Sequence, residues 1–361
     1  MTYGEDKKTL FDGKRVLITG GTGSLGKVLT QRLLSGQYGT PEKIIIFSRD
    51  EAKQYLMRLS FRHLKAATEE IIYPNFEELL EFRIGDVRDL HSVVGVLRDV
   101  DIVFNAAAMK QVPICEYFPH EAVRTNIEGA ENIVRGIQQF NLPVETVVAV
   151  STDKACKPVN VMGMTKAIQE RLFMSANLRC RGTRFIGVRY GNVLASRGSV
   201  IPLFHSQIRA GGPVSITSPD MTRFLLSLDQ AVQTIMDACR LACPGEVFVP
   251  RVRSSLIINV AKALIGNRNI EIEEVGIRPG EKIHEILVAE EEVSRTVRRG
   301  DHYAIRSILP EVDTVEDQRP PLTGEYSSAD KIMDLEETTR LLRDNQLMVE
   351  DVQIEGGELL R

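Results

Sequence analysis

The chain has 361 residues and a mass of 40.4 kDa, room for two closely joined domains or one large α/β unit. Apolar residues make up 43% and charged residues 26%, with 45 basic against 49 acidic side chains and a net charge of −4, which argues against a nucleic-acid binder. The longest apolar runs, such as Val147–Val150, are too short to span a bilayer, and the polar stretch Met1–Asp12 lacks a signal-peptide core, so a soluble cytoplasmic enzyme is expected.

In chain order, Lys14–Thr19 reads as a buried strand, followed by a glycine-rich turn and a helix to about Ser35. Lys43–Phe47 is a second strand, with a helix from Glu51. The acidic stretch Ala66–Glu81 reads as a solvated insertion. Phe82–Ile84 and Asp101–Asn105 are strands three and four, and a helix covers Glu121–Phe140. Thr146–Val150, a helix over Val161–Asn177 and the strand Thr183–Arg189 complete the alternation. Strands separated by helices predict βαβ units and a Rossmann-type, doubly wound parallel sheet. Continuous apolar strands agree, because such sheets are covered on both faces.

Residues 1–190 are thus read as mainly a cofactor-binding domain. After Tyr190 the texture changes: Gly191–Pro219 is rich in Gly, Pro and Ser and reads as loop, with helices at Leu228–Leu241 and Ile258–Ile265. Residues 191–310 are read as a smaller substrate-binding region interleaved with the sheet. Residues 311–361 hold 14 acidic and 5 basic side chains, a net −9, leaving +5 for the rest. This segment reads as a solvated amphipathic helix around Asp334–Leu342 with a frayed tail.

The five cysteines include no close pairs suited to a disulfide framework. Cys239 and Cys243, four residues apart in an apolar stretch, read as core residues. The six histidines lack ligand spacing, so no metal site is expected.

Gly20-Gly21-Thr22-Gly23-Ser24-Leu25-Gly26 follows a strand and opens a helix. Gly20, Gly23 and Gly26 permit a tight turn and close approach of a pyrophosphate to the helix N-terminus, a dinucleotide-binding pattern. Strand two ends in Phe47-Ser48-Arg49-Asp50, with Lys53 one turn on. Ser48 and Arg49 precede the acid, and Arg suits a ribose 2′-phosphate, so NADP is expected over NAD. The alternative is that Arg49 is a solvated loop residue.

Together with this turn, Asp86-Val87-Arg88-Asp89, Asn105-Ala106-Ala107-Ala108 and Ser151-Thr152-Asp153-Lys154 resemble the extended short-chain dehydrogenase/reductase superfamily. Met109-Lys110-Gln111-Val112-Pro113, Arg189-Tyr190-Gly191-Asn192-Val193-Leu194, Ser196-Arg197-Gly198-Ser199-Val200-Ile201-Pro202, Met221-Thr222-Arg223-Phe224 and Arg278-Pro279-Gly280-Glu281-Lys282 sharpen the likeness. They resemble the polysaccharide-biosynthesis type of nucleotide-sugar 4,6-dehydratase, which acts on UDP-N-acetylglucosamine. The likeness runs from about Phe11 to Val288, with a looser echo near Tyr326–Leu342.

The resemblance implies that Asp86 and Val87 contact adenine, that Ala106, Ala107 and Ala108 pass beside the cofactor, and that Asn126 supports the site from mid-helix. It implies a UDP-sugar held by Lys110, Asn192, Arg197, Arg223, Arg278 and Glu281, and a homo-oligomer. The superfamily's Tyr-x-x-x-Lys pair corresponds to Met162-Gly163-Met164-Thr165-Lys166, so Met162 stands where Tyr is usual while Lys166 is kept. Some members of the dehydratase subgroup share that Met.

The implied reaction is internally redox-neutral: C4 is oxidised, the C5 proton is acidified beside the ketone, water leaves C6, and the hydride returns to C6. Asp153 is then the acid at O6 and Lys154 the acid/base at C5. Lys166 assists at O4 with a lowered pKa, and Thr152 hydrogen-bonds the reacting hydroxyl. A plain Asp153–Lys154 ion pair is the bland alternative. Inversion at C5 follows from likeness to the soluble inverting members. A nucleotide-sugar epimerase and, motivated by Met162, a non-catalytic NADP-binding sensor or scaffold are the competing readings.

Overall fold

The computed structural model describes residues 9–67, 76–194, 199–313, 319–355 and 358–360. The six expected parallel strands form: β1 (Arg15–Thr19), β2 (Lys43–Ser48), β3 (Leu80–Ile84), β4 (Ile102–Asn105), β5 (Thr146–Val150) and β6 (Arg184–Val188). They lie in the order 3-2-1-4-5-6, every neighbouring pair parallel. Order reverses between β1 and β4, which opens a crevice at the carboxyl ends of those strands.

Two core layers follow from the period-two alternation of strands. Val16, Ile18, Ile44, Ile46 and Phe104 point to one face, with Leu29, Leu33 and the helix Leu228–Leu241 over them. Leu17, Ile45, Phe47, Val103 and Val147 point to the other, covered by Val93, Ile133, Ile137 and Phe173. Both faces are dry, which explains the continuous apolar strand sequences.

Three further strands extend the sheet beyond β6. Val247–Pro250 adds in parallel, and His302–Ile305 and Thr296–Arg299 add antiparallel. The expected Glu121–Phe140 helix is an α-turn over Pro119–Ala122, a π-turn over Val123–Glu128 and an α-helix over Gly129–Phe140. The π-turn carries Asn126 inward, where it is fully buried. Cys239 is buried as expected, while Cys243 lies beyond the helix and is only half-buried.

Gly191–Pro219, read from sequence as loop, contains the helix Val200–Arg209 and strands Asn192–Val193 and Val214–Ile216. Ile201, Phe204, His205 and Ile208 are buried on one helical face, a 3.6-residue period that the flanking Gly and Pro obscure. This helix packs in a second core with Met221, Leu225, Ile257, Val260 and Leu264.

The acidic segment differs from the solvated helix and frayed tail expected of it. The helix Leu335–Asp344 forms, capped by Asp334 and Glu337 in a reciprocal capping box. Its apolar face joins the second core, where Thr338, Leu342 and Leu347 are fully buried. Of the stretch Ala66–Glu81 read as a solvated insertion, residues 68–75 lie outside the described residues, and its end is not solvated: Leu80 is buried and opens β3.

Candidate active site

The glycine turn sits at the carboxyl end of β1. Gly20 has φ +64, and a Cβ there would lie 2.8 Å from the Ala107 backbone. A Cβ on Gly26 would lie 2.3 Å from the Gly21 carbonyl oxygen. Only glycine permits this left-handed turn and close helix–strand packing. The following helix α1 (Ser24–Leu34) starts at Gly23 with no side-chain cap, so its first N–H groups face outward. Thr22 is buried at the turn, and Ser24 and Leu25 form the first helical positions. Unclaimed N–H donors beside a side-chain-free cradle fit a dinucleotide pyrophosphate.

The neighbouring strand ends complete this edge. Ser48 accepts from Gln54 Nε2 at 3.1 Å. Arg49 is exposed, with its guanidinium 3.8 Å from Asp86 Oδ2. Lys53 pairs with Asp50, one turn back, at 2.7 Å. Asp86 is held by Arg88 through its backbone N–H (3.0 Å) and guanidinium (2.6 Å). Burial pushes the Asp86 carboxyl up, but the Arg88 hydrogen bonds and charge hold it below its ordinary value. Asp89 caps the next helix. Val87 is buried against Gly129. Ala106, Ala107 and Ala108 run past Gly20 after β4, and the Ala107 N–H donates to Thr19 Oγ1 at 3.2 Å.

Asn126 braces the wall next to this edge. It accepts from the Met109 N–H at 2.8 Å and donates to the Met109 carbonyl at 3.0 Å and to Thr165 Oγ1 at 2.9 Å. Thr165 lies on the helix Val161–Arg179, which also carries Met162 and Lys166. Met162 is buried in an apolar cluster with Cys115 and Ala122. Lys166 is buried and donates to the Val150 carbonyl at 2.5 Å and to Gln169 Oε1. Burial lowers its pKa to about 8, against a smaller upward pull from Glu170.

Ser151 links β5 to Thr152, which caps the tight 3₁₀ turn Asp153–Ala155 that carries Lys154. A Cβ on Gly163 would lie 2.2 Å from the Lys154 carbonyl oxygen, so the helix packs directly on this turn. Asp153 is 0% exposed. Its Oδ1 accepts from Thr152 Oγ1 at 2.9 Å and from Lys154 Nζ at 3.1 Å, while Oδ2 is buried without a partner. Burial lifts the Asp153 carboxyl above its ordinary range; Lys154 pulls it back and Glu285 adds to the rise. Burial opposes charge on Lys154, but the Asp153 and Glu285 carboxylates overcome it and raise its pKa.

Glu285 is the residue that sequence reasoning missed. It is 2% exposed and lies 3.3 Å from Lys154 Nζ through Oε1, with Oε2 buried and unpartnered. It comes from a segment over a hundred residues downstream. Its nearness to the Arg278–Lys282 motif was the available signal.

The expected substrate residues divide. Arg223 is buried, donating to the Thr222 and Ile283 carbonyls at 2.7 and 3.1 Å and lying 3.9 Å from Glu285. Asn192 lies on the short strand beside Thr222–Leu226, its Oδ1 buried without a partner. Glu281 is half-buried near Thr217 at 3.4 Å. Lys110 and Arg278 are exposed, and Arg197 lies outside the described residues.

This architecture is that of a short-chain dehydrogenase/reductase-type fold with a polar centre at the end of β5. Residues 16–307 match the polysaccharide biosynthesis protein family, and the chain belongs to it. A relative from Campylobacter jejuni (strain 81-176), a UDP-N-acetylglucosamine 4,6-dehydratase (inverting), is 42% identical over 311 residues, 85% of this chain and 87% of that one. A UDP-glucose 4-epimerase from Rickettsia conorii is 42% identical over 344 residues, 92% and 96% of the two chains. The solved structure of Pen from Bacillus thuringiensis superposes with a TM-score of 0.83 at 34% identity, covering 94% of this chain and 100% of that one. DesIV from Streptomyces venezuelae, a dTDP-glucose 4,6-dehydratase with NAD bound, shares the fold with a TM-score of 0.63 at 19% identity, over 92% and 98% of the chains.

Proposed function

We propose that this protein is a nucleotide-sugar 4,6-dehydratase that converts UDP-N-acetylglucosamine to a 4-keto-6-deoxy sugar with inversion at C5. The observation that carries the reading is the pairing of buried Asp153 with half-buried Lys154 at the end of β5. An elimination at C5 and C6 needs an acid and a base side by side, shielded from water. The named dehydratase relative supports the same reaction and stereochemistry.

The cofactor is a nicotinamide dinucleotide, supported by the Gly20 cradle and the uncapped start of α1. When bound, it supplies a reversible hydride acceptor. NADP over NAD is our finer reading, resting on exposed Arg49 beside the end of β2. The residues holding it are Gly20, Thr22, Gly23, Ser24, Leu25, Gly26, Ser48, Arg49, Lys53, Asp86, Val87, Ala106–Ala108, Asn126 and Lys166.

Lys166, with its pKa near 8, receives the O4 proton in place of the missing Tyr phenol. Thr152 orients the reacting hydroxyl. Lys154 takes the C5 proton and Asp153 protonates O6. Lys110, Asn192, Arg197, Arg278 and Glu281 hold the uridine diphosphate, with Arg223 at the inner end. In this reading residues 1–190 mainly serve the cofactor and 191–310 the sugar nucleotide, while Met333, Leu342, Leu347 and Val349 of the 311–361 segment complete the second core. Exposed Met164, Ile168 and Leu178 on one helix favour a homo-oligomer. We read the enzyme as cytoplasmic; no described helix is long and apolar enough to cross a membrane.

The test is mass spectrometry of UDP-N-acetylglucosamine incubated with protein and cofactor. Loss of one water from the sugar is expected. The second reading, a C4 epimerase, is favoured by the epimerase relative and predicts a product of unchanged mass.

A further inference from the structure

Lys154 stands between two buried carboxylates, and only one of them is its sequence neighbour. Its Nζ lies 3.1 Å from Asp153 Oδ1 and 3.3 Å from Glu285 Oε1. A dehydration site of this kind requires one acid and one base, so the second carboxylate has no role in the reaction as written above. Its backbone is firmly held: the Glu285 N–H donates to Ser328 Oγ at 2.9 Å, and the Ser328 N–H donates to the Glu285 carbonyl at 2.8 Å. The strand Ile286–Val288, which follows at once, pairs with Tyr326–Ser327. A buried carboxylate on so rigid a mount is placed, not incidental.

We propose that Glu285 is a positioning residue, the standing counter-ion of Lys154, which holds the lysine in place and leaves Asp153 free to carry the proton destined for O6. This rests on the dehydratase reading above. The ammonium proton of Lys154 first moves to Asp153 Oδ1, 3.1 Å away, leaving an amine beside a protonated acid. The C5–H bond then breaks and its proton passes to that amine. The C5–H electron pair becomes the C5–C6 double bond. The C6–O bond breaks as Asp153 gives its proton to the departing oxygen, which leaves as water. Asp153 ends as carboxylate and Lys154 as ammonium, and Glu285 stays ionised throughout. The ammonium forms against a charge already in place, so no reorganisation is needed when it appears.

Surrounding charges divide the two carboxylates in the sense this requires. Arg223 lies 3.9 Å from Glu285 Oε1, and Lys282, whose Nζ donates to the Cys156 carbonyl at 2.6 Å, adds positive charge on the same side. Burial would raise Glu285, but Lys154, Arg223 and Lys282 hold it below its ordinary value, whereas Asp153 is raised. His284 is turned to Thr222 Oγ1 at 2.8 Å. Two interacting carboxylates with pKa values driven apart are an acid and a permanent anion.

The test compares wild type with Glu285→Gln and Glu285→Asp. Removing a negative charge lowers the pKa of every group facing it, so Glu285→Gln moves both limbs of the kcat–pH profile to lower pH, by about 1–3 units. It also lowers kcat at least about tenfold with KM and cofactor affinity little changed, and Glu285→Asp restores much of the loss. Independently of turnover, infrared titration follows the protonated-carboxyl band identified as Asp153 by its loss in Asp153→Asn. That band titrates at lower pH in Glu285→Gln. Unchanged limbs together with an unchanged band overturn the proposal, as does a Glu285→Asp variant no better than Glu285→Gln. If wild type makes no dehydrated sugar, the dehydratase reading fails, and the infrared titration still decides whether Glu285 governs Asp153.

Discussion

The Asn160 side chain joins two motifs that are 120 residues apart: its Oδ1 accepts from the Gly163 N–H and its Nδ2 donates to the Gly280 carbonyl, both at 2.8 Å. One amide therefore caps the helix bearing Met162 and Lys166 and fastens the Arg278–Lys282 loop to it. Asn160→Ala is expected to lower stability by about 1–2 kcal/mol through the lost cap. It also raises KM for the UDP-sugar while leaving cofactor affinity nearly unchanged. Asn160→Ser keeps the cap and loses the loop tie, so it recovers stability in urea unfolding but not KM.

Lys166 gives a pH dependence. A base at O4 must be unprotonated, so kcat/KM for the free enzyme rises as pH passes about 8, where burial places this lysine. Lys166→Met is expected to remove that limb and to lower kcat/KM by about 10²–10⁴-fold. A limb retained in Lys166→Met assigns it to another group.

Arg49 carries the proposed preference for NADP over NAD. A 2′-phosphate would take the exposed guanidinium from its long 3.8 Å approach to Asp86. Arg49→Ala is expected to weaken NADP about 10–100-fold, the value of a charge-assisted contact, with NAD binding unchanged. Calorimetric Kd values for both nucleotides check this, and wild type binding NAD as tightly as NADP contradicts it.

Arg189 carries a stability prediction. It is buried between Glu170 at 2.7 Å and Glu292 at 2.7 Å, tying the end of β6 to the Glu290–Val293 turn. Arg189→Met strands two carboxylates in the interior and is expected to cost about 3–5 kcal/mol in denaturant unfolding. Burial would raise Glu292, but Arg189 holds it below its ordinary value. A depressed carboxyl contributes stability above its unfolded pKa of about 4.3 and loses it as pH falls through the folded value. Glu292→Gln should therefore erase part of the wild-type stability loss on acidification.

The parallel sheet was legible because most of its strands are short apolar runs beside a turn or helix signal, as in Lys43–Phe47. The glycine turn and the Ser151–Lys154 segment were legible because both lie within one stretch of chain, at strand ends. Glu285 was not, because its pairing with Lys154 spans more than a hundred residues, and its place just after the Arg278–Lys282 motif was the one local hint. The π-turn at Asn126 escaped for a related reason: helical periodicity registers a helix but not one extra residue in a turn. The acidic tail misled because net charge describes its outer face, while Thr338, Leu342 and Leu347 form the inner one. The sequence shows the charge of Arg223 but not its burial against carbonyls and beside Glu285.

The central claim is that Asp153 and Lys154 remove water from a UDP-sugar across C5 and C6. Proton NMR of UDP-N-acetylglucosamine with the enzyme in D₂O tests it most directly. The account predicts a 4-keto-6-deoxy product with deuterium at C5 and inverted C5 configuration, formed by wild type and lost in both Asp153→Asn and Lys154→Ala, which still bind cofactor. A 4-epimer that retains its C6 hydroxyl and its C5 proton, or near-normal turnover in both variants, would contradict it.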